Sequence, residues 1–302
     1  MTFLRQIACA AVVCAAGACT VKHAPVVDEH AGHDAEMSTG AGGVAVQGNA
    51  IPAGATTAKE RLATSPRHGE WTRIAWQPGS KDSLMAWVVY PEKKRNAPVV
   101  VVIHEIFGLS TWVRGVADQL AADGYIAVAP DLLSRVRGGP SSDELATDSA
   151  TKLIRTVPRA DVNAGLVASA QYGMALPAAL KRYGVVGFCW GGSASFNHAV
   201  FNAPNLRAAV VYYGTSLKGD SLAPVTAPVL GMCGENDARV DATIPATDSA
   251  MKSLKKTYEY EVFKGAGHGF LRAQDAPGGA NLAAAQAAWP KTIAWFRKHL
   301  GA

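Results

Sequence analysis

The sequence predicts an α/β domain: a mainly parallel central sheet with helices on both faces and an antiparallel N-terminal hairpin at one edge. Three observations point there. Pro98–His104 (PVVVVIH) and Tyr125–Pro130 (YIAVAP) are short, continuous apolar runs, the composition of strands buried on both faces. Segments of helical spacing alternate with such runs along the chain. Glycines and prolines punctuate the junctions.

The chain has 302 residues, 49% hydrophobic and 18% charged, which suits one large globular domain and excludes a mainly disordered chain, a collagen-like repeat or a coiled coil. No apolar stretch of about 18 residues follows the N-terminal segment, so no internal transmembrane helix is expected. The net charge of +5 shows no clustered basic face, which argues against a nucleic-acid partner.

The elements are justified in chain order as follows. Arg5 and the apolar run Ile7–Ala16 have the form of a signal peptide over residues 1–18. Ala16-Gly17-Ala18-Cys19 is both an A-x-A cleavage site and similar to a lipobox, with Ala16 where Leu is usual; both cut before Cys19. The expectation is an exported chain, either periplasmic with Cys19 simply following the cleavage site or anchored to a membrane by a lipid on Cys19. Residues 19–66 are rich in Ala, Gly, Thr and Val and read as a flexible tether, leaving the domain over 67–302. His23, His30, His33 and Met37 match no structural zinc spacing. Trp71–Trp76 and Leu84–Tyr90 alternate about a Pro-Gly turn and read as the hairpin. Strands are expected at Pro98–His104 and Tyr125–Pro130, with a helix between them at Trp112–Asp123 that Gly124 ends. Residues 131–158 read as a long polar loop with helical patches. Helices then follow at Asp161–Tyr172, Ser193–Phe201, Thr243–Lys255 and Leu282–Leu300. Strands follow at Tyr183–Phe188, Arg207–Tyr212, Pro228–Cys233 and Tyr258–Phe263.

Gly187-Phe188-Cys189-Trp190-Gly191-Gly192 joins a buried strand to a helix. It matches the G-x-S-x-G turn with cysteine as nucleophile. Glycines suit such a turn because a Cβ would meet neighbouring backbone. The positive helix N-terminus favours a thiolate, and the Trp190 N–H would face a developing oxyanion. Asp237 and His268 follow on later strand-end loops, in the order nucleophile, acid, histidine. His268 is then the base and Asp237 fixes its tautomer. Cys233 ends an apolar run (PVLGMC) and reads as an inert buried thiol.

Four segments together resemble the dienelactone hydrolases of the α/β-hydrolase fold: His104–Gly108 (HEIFG), Gly187–Gly192 (GFCWGG), Gly234–Val240 (GENDARV) and Gly265–Arg272 (GAGHGFLR). The resemblance implies Cys189 as nucleophile, Asp237 as acid and His268 as base. It also implies Glu105 as an acceptor of the thiol proton when substrate arrives, Ile106 as the second oxyanion N–H, and Arg272 as the binder of a substrate carboxylate. Trp190 is larger than the family's usual residue there. No clear counterpart of a second substrate arginine exists; Arg135, Arg137 and Arg155 all lie in the variable stretch. The expected function is hydrolysis of a small ester or enol-lactone through a cysteine thioester, with no metal or organic cofactor. A broad carboxylesterase or acyl-transferring thiol enzyme is the alternative. A non-catalytic tethered binding lipoprotein is a third reading, against which the intact triad argues.

Overall fold

The computed structural model describes residues 51–301 except 78, 93, 94, 144, 146 and 218. The expected signal peptide, Cys19, the His23, His30, His33 and Met37 group, and the tether up to residue 50 lie outside the described residues.

The chain order is α1 (Ala55–Ala63), β1 (Gly69–Ala75), β2 (Ser83–Val89), β3 (Ala97–Ile103), α2 (Thr111–Ala122), β4 (Ile126–Asp131), α3 (Ser134–Arg137), α4 (Thr147–Thr156) and α5 (Arg159–Ala175). Then come β5 (Ala179–Phe188), α6 (Trp190–Phe201), β6 (Leu206–Tyr212), β7 (Val229–Asn236), α7 (Ala238–Asp241), α8 (Ile244–Ser253), β8 (Tyr258–Gly267) and α9 (Ala280–Leu300). The strands form one eight-stranded sheet in the order β1-β2-β4-β3-β5-β6-β7-β8. β1 and β2 are the antiparallel hairpin; β2 also runs antiparallel to β4, and β4 through β8 are mutually parallel.

Burial explains the sequence pattern. Every residue of β3 and β4 is buried, because helices cover both faces of the sheet. Successive residues alternate between two cores. Val100, Val102, Val186 and Phe188 pack with Trp112 and Val116 of α2 and with Trp289, Ile293 and Phe296 of α9. Val99, Val101, Ile103 and Val185 pack with Leu166 of α5, Phe196 of α6 and Met251 of α8. That alternation is the two-residue period of a strand. Ser110 caps α2 by accepting from the Val113 N–H at 3.5 Å. No helix among the described residues is long and apolar enough to cross a membrane.

Three expectations need correction. Residues 51–66 are not tether. Ile51, Ala53 and Ala58 are buried, and α1 lies against α2. Trp112 Nε1 donates to the Ala53 carbonyl (3.0 Å), and Gln274 Nε2 to that of Pro52 (3.0 Å). The Ala55 N–H donates to the Arg272 carbonyl (2.8 Å), and Arg61 to that of Ile51 (2.6 Å). The segment carries few large apolar side chains, but its small ones fit closely against α2, and these bonds offset the entropy of ordering it. Second, α6 begins at Trp190, not Ser193, because tight backbone packing overrides the poor helix propensity of Gly191 and Gly192. Third, β5 and β8 run longer than expected, each spanning ten residues; the helical patches expected in the 131–158 stretch are α3 and α4.

Candidate active site

The sheet's register brings the site together at the carboxyl ends of the parallel strands. Ile103 pairs with Gly187, so the next loops place Glu105 beside the turn that carries Cys189. Phe188 pairs with Tyr212, so Tyr213 leaves its strand next to Cys189. Asn236 pairs with Gly267, which sets Asp237 and His268 side by side.

Cys189 is a buried residue with φ 55° and ψ −117°, at the sharp turn between β5 and α6. A non-glycine residue in that region is strained by about 1–3 kcal/mol. The strain persists because the surroundings over-determine the turn. The Cys189 N–H donates to the Tyr212 carbonyl at 3.1 Å. A Cβ on Gly187 would stand 1.9 Å from the Gly191 oxygen, and one on Gly191 would stand 2.4 Å from the His104 oxygen. The first turn of α6 is thereby pressed against the backbone entering the 104–108 loop. The N–H groups at the start of α6 have no helical acceptors, so they and the helix dipole face the sulfur. The amides of Trp190 and Ile106, the two expected oxyanion donors, belong to these two abutting segments.

His268 follows β8, and its Nδ1 lies 2.5 Å from Asp237 Oδ2. Gly267 N–H is fixed on Asn281 Oδ1 (2.9 Å), and Gly269 turns the chain with φ 74°. Burial alone lowers the histidine's pKa. Hydrogen bonds to Asp237 and Cys189 outweigh it and push the value up to about 10. A carboxylate on one side and sulfur on the other thus favour the imidazolium. Triad order, tautomer control and a thiol partner are all present in the geometry.

Glu105 is buried, with Oε2 2.8 Å from Arg272 Nε. This is a buried ion pair at contact distance. The Glu105 charge is the chief reason that the Arg272 guanidinium is held more firmly cationic. Arg272 also lies over the Phe107 ring, 5.5 Å from its centroid. An anion arriving at Arg272 would compete directly with Glu105.

Two residues that the sequence reading passed over shape the site. Buried His104 accepts from the Leu132 N–H at Nε2 (3.2 Å), so Nδ1 carries the proton and donates to the Glu105 carbonyl at 2.6 Å. Burial keeps it neutral. It therefore holds the Glu105–Ile106 peptide in place, and its ring stacks on Trp190 at 5.7 Å. Tyr213, completely buried, sets its ring edge-on to His268 at 5.2 Å. The available signal for both was position at a strand's carboxyl end.

The remaining candidates fall outside this cluster. Arg135 is engaged by Asp82 and Asp161 and stacks 3.6 Å over Trp76. Arg137 donates to the Pro140 carbonyl (2.6 Å), and Arg155 is exposed on α4. Cys233 and Cys189 are both free and buried. Burial chiefly, and then Asp241 and Asp237, push the Cys233 thiol up to about 12, so it is a poor nucleophile. Among the described residues, no three His, Cys, Asp or Glu side chains gather as a metal site.

Comparison with known proteins identifies the family. The model of the dienelactone hydrolase family matches residues 84–300. The "Putative carboxymethylenebutenolidase" of Salmonella typhimurium is 31% identical over 236 residues, 74% of this chain and 86% of its own. The "Probable 2-oxo-3-(5-oxofuran-2-ylidene)propanoate lactonase" of a Bradyrhizobium species is 30% identical over 259 residues, 79% of this chain and 98% of its own. The crystal structure of a "Putative Dienelactone Hydrolase" from Klebsiella pneumoniae superposes with a TM-score of 0.65 at 27% identity, covering 77% of this chain and all of that one. With its mostly parallel sheet of the α/β-hydrolase fold, this chain belongs to the dienelactone hydrolase family.

Proposed function

We propose that the protein hydrolyses a small ester or enol-lactone through a thioester on Cys189. The observation that carries this reading is a strained, buried cysteine at a helix N-terminus beside a His268–Asp237 pair. The thiol proton passes to His268. An anionic group on the substrate takes Arg272 from Glu105, and the freed carboxylate is a second acceptor for that proton. The sulfur attacks the carbonyl carbon, a C–S bond forms, and the oxyanion meets the amides of Ile106 and Trp190. Collapse breaks the C–O bond, and His268 returns its proton to the leaving oxygen. Acylation removes the negative charge from sulfur, one of the two influences that favour the imidazolium. The neutral ring then takes a proton from water, which cleaves the thioester and releases the acid. The exported location, with a lipid on Cys19 and the catalytic domain beyond a tether, belongs to the same proposal and rests on the N-terminal sequence.

The test is hydrolysis of a dienelactone and of p-nitrophenyl acetate by the full chain, before and after iodoacetamide, with Cys189→Ala as the paired variant. Lactone turnover that alkylation stops is expected. Cys189→Ala should lower kcat by at least about 10⁴-fold with an unchanged circular dichroism spectrum. Activity near wild type in that variant would remove the cysteine mechanism. Cleavage of the acetate alone would replace the lactone by simpler esters.

A further inference from the structure

Tyr213 is not explained by packing alone. It follows β6 with φ 38°, a left-handed conformation that a bulky side chain adopts only under constraint. Its backbone is pinned, because its N–H donates to the Met232 carbonyl at 2.8 Å. A Cβ on the next residue, Gly214, would stand 2.3 Å from the Ser193 nitrogen, so this turn is pressed onto α6 as closely as the nucleophile turn is. The ring is completely buried between His268 (5.2 Å) and Phe270 (5.4 Å). Yet its hydroxyl is buried with no hydrogen-bond partner among the described residues. A buried, unpaired O–H is a cost that a phenylalanine would avoid. Burial, first of all, holds the phenol well above its ordinary pKa, so it remains a donor. Beyond burial, the charges that act on it most are those of Glu105, Arg272 and Cys189, which meet at the site.

We propose that the Tyr213 hydroxyl is a further catalytic group, a hydrogen-bond donor to the substrate's leaving oxygen as the C–O bond breaks; this rests on the cysteine-hydrolase reading above. The carbonyl oxygen already has the Ile106 and Trp190 amides. The leaving oxygen departs on the side of His268, which protonates it, and that is where Tyr213 stands. The tyrosine transfers no proton. Its O–H bond stays intact while negative charge grows on the oxygen, and the proton that ends on the product comes from His268. Strain and an unpaired donor at such a position fit a group whose partner is present only during reaction.

The experiment compares wild type with Tyr213→Phe in the full chain. It measures kcat/KM for p-nitrophenyl acetate and for phenyl acetate, the rate at which iodoacetamide alkylates Cys189, and the melting temperature. For phenyl acetate, whose leaving oxygen is the more basic, kcat/KM should fall by about 100-fold. The fall for p-nitrophenyl acetate should be clearly smaller. Alkylation should keep its rate, and the melting temperature should hold or rise, because the substitution deletes only an unpaired buried hydroxyl. An unchanged kcat/KM, or one that falls equally for both esters, overturns the role, as does a variant that melts lower and alkylates more slowly. Wild-type turnover that iodoacetamide abolishes keeps the underlying reading intact in those cases. If wild type shows no thiol-dependent turnover of these esters or of a dienelactone, that reading fails and takes the role of Tyr213 with it.

Discussion

Gly187 illustrates how one missing methyl group decides whether the nucleophile turn closes. A Cβ there would lie 1.9 Å from a backbone oxygen, and backbone cannot rotate away as a side chain can. Gly187→Ala should therefore destabilise the fold by about 3 kcal/mol, near the upper end of overpacking costs. Urea denaturation measures it, and an unchanged midpoint would show that the turn relaxes freely. At this scale the sequence is most legible where residue type is itself the chemistry. A thiol between glycines, an imidazole among glycines and a carboxylate on a strand-end loop announce themselves. His104 and Tyr213 do not. Each ends or follows an apolar strand run, and nothing local distinguishes a packed ring from one that holds a peptide or lies edge-on to His268.

Among the elements, the N-terminal arm departs most from expectation. Its main-chain groups at residues 52 and 55 bond to Gln274 and to Arg272, within the loop that follows His268. The arm thus fixes the segment that carries the Arg272 guanidinium. A chain that begins at residue 67 should melt roughly 5–10 °C lower than one that begins at residue 51, since burying Ile51 alone contributes about 2 kcal/mol. Differential scanning calorimetry of the two proteins decides this, and equal melting temperatures would reduce the arm to decoration. The arm is hard to read in the sequence because its apolar residues are small and irregularly spaced. The buried strands β3 and β4, by contrast, are readable to within a residue, since a continuous apolar run has few other places to go, whereas β5, β7 and β8 extend beyond their apolar runs. Boundaries slipped at α6, where close approach of backbones, not propensity, sets the helix start.

The whole molecule responds to pH through its buried histidines. His198 hydrogen-bonds Tyr183 (2.7 Å) and Asn163 (3.0 Å), and burial lowers it to about 4. His104 is lowered for the same reason. The unfolded chain protonates these rings near 6.5 while the native protein does not, so stability is lost as pH falls from about 6.5 toward 4. His268 has the opposite sign. Its native value of about 10 lies above the unfolded 6.5, so its contribution is complete below 6.5 and is lost as pH rises through 10. The melting temperature should therefore peak near pH 6.5 and fall on both sides. His268→Gln should flatten the alkaline limb between pH 7 and 9 and leave the acid limb in place. Melting curves across that range check it; an alkaline limb of the same slope in the variant would contradict the proposed charge state of His268.

By itself, the sequence determined the layering of this protein and named the candidate reactive groups. Continuous and alternating apolar patterns follow directly from burial on two faces or one. A cysteine, histidine and aspartate in triad order carry their chemistry wherever the chain places them. The tertiary structure alone decided that Glu105 rests on Arg272, that residues 52–55 hold the loop after His268, and that the Tyr213 hydroxyl, on a ring against His268, is buried with no partner among the described residues. These are contacts between segments far apart in the chain. They depend on strand order and register, which arise from the packing of the whole sheet and which no local pattern records.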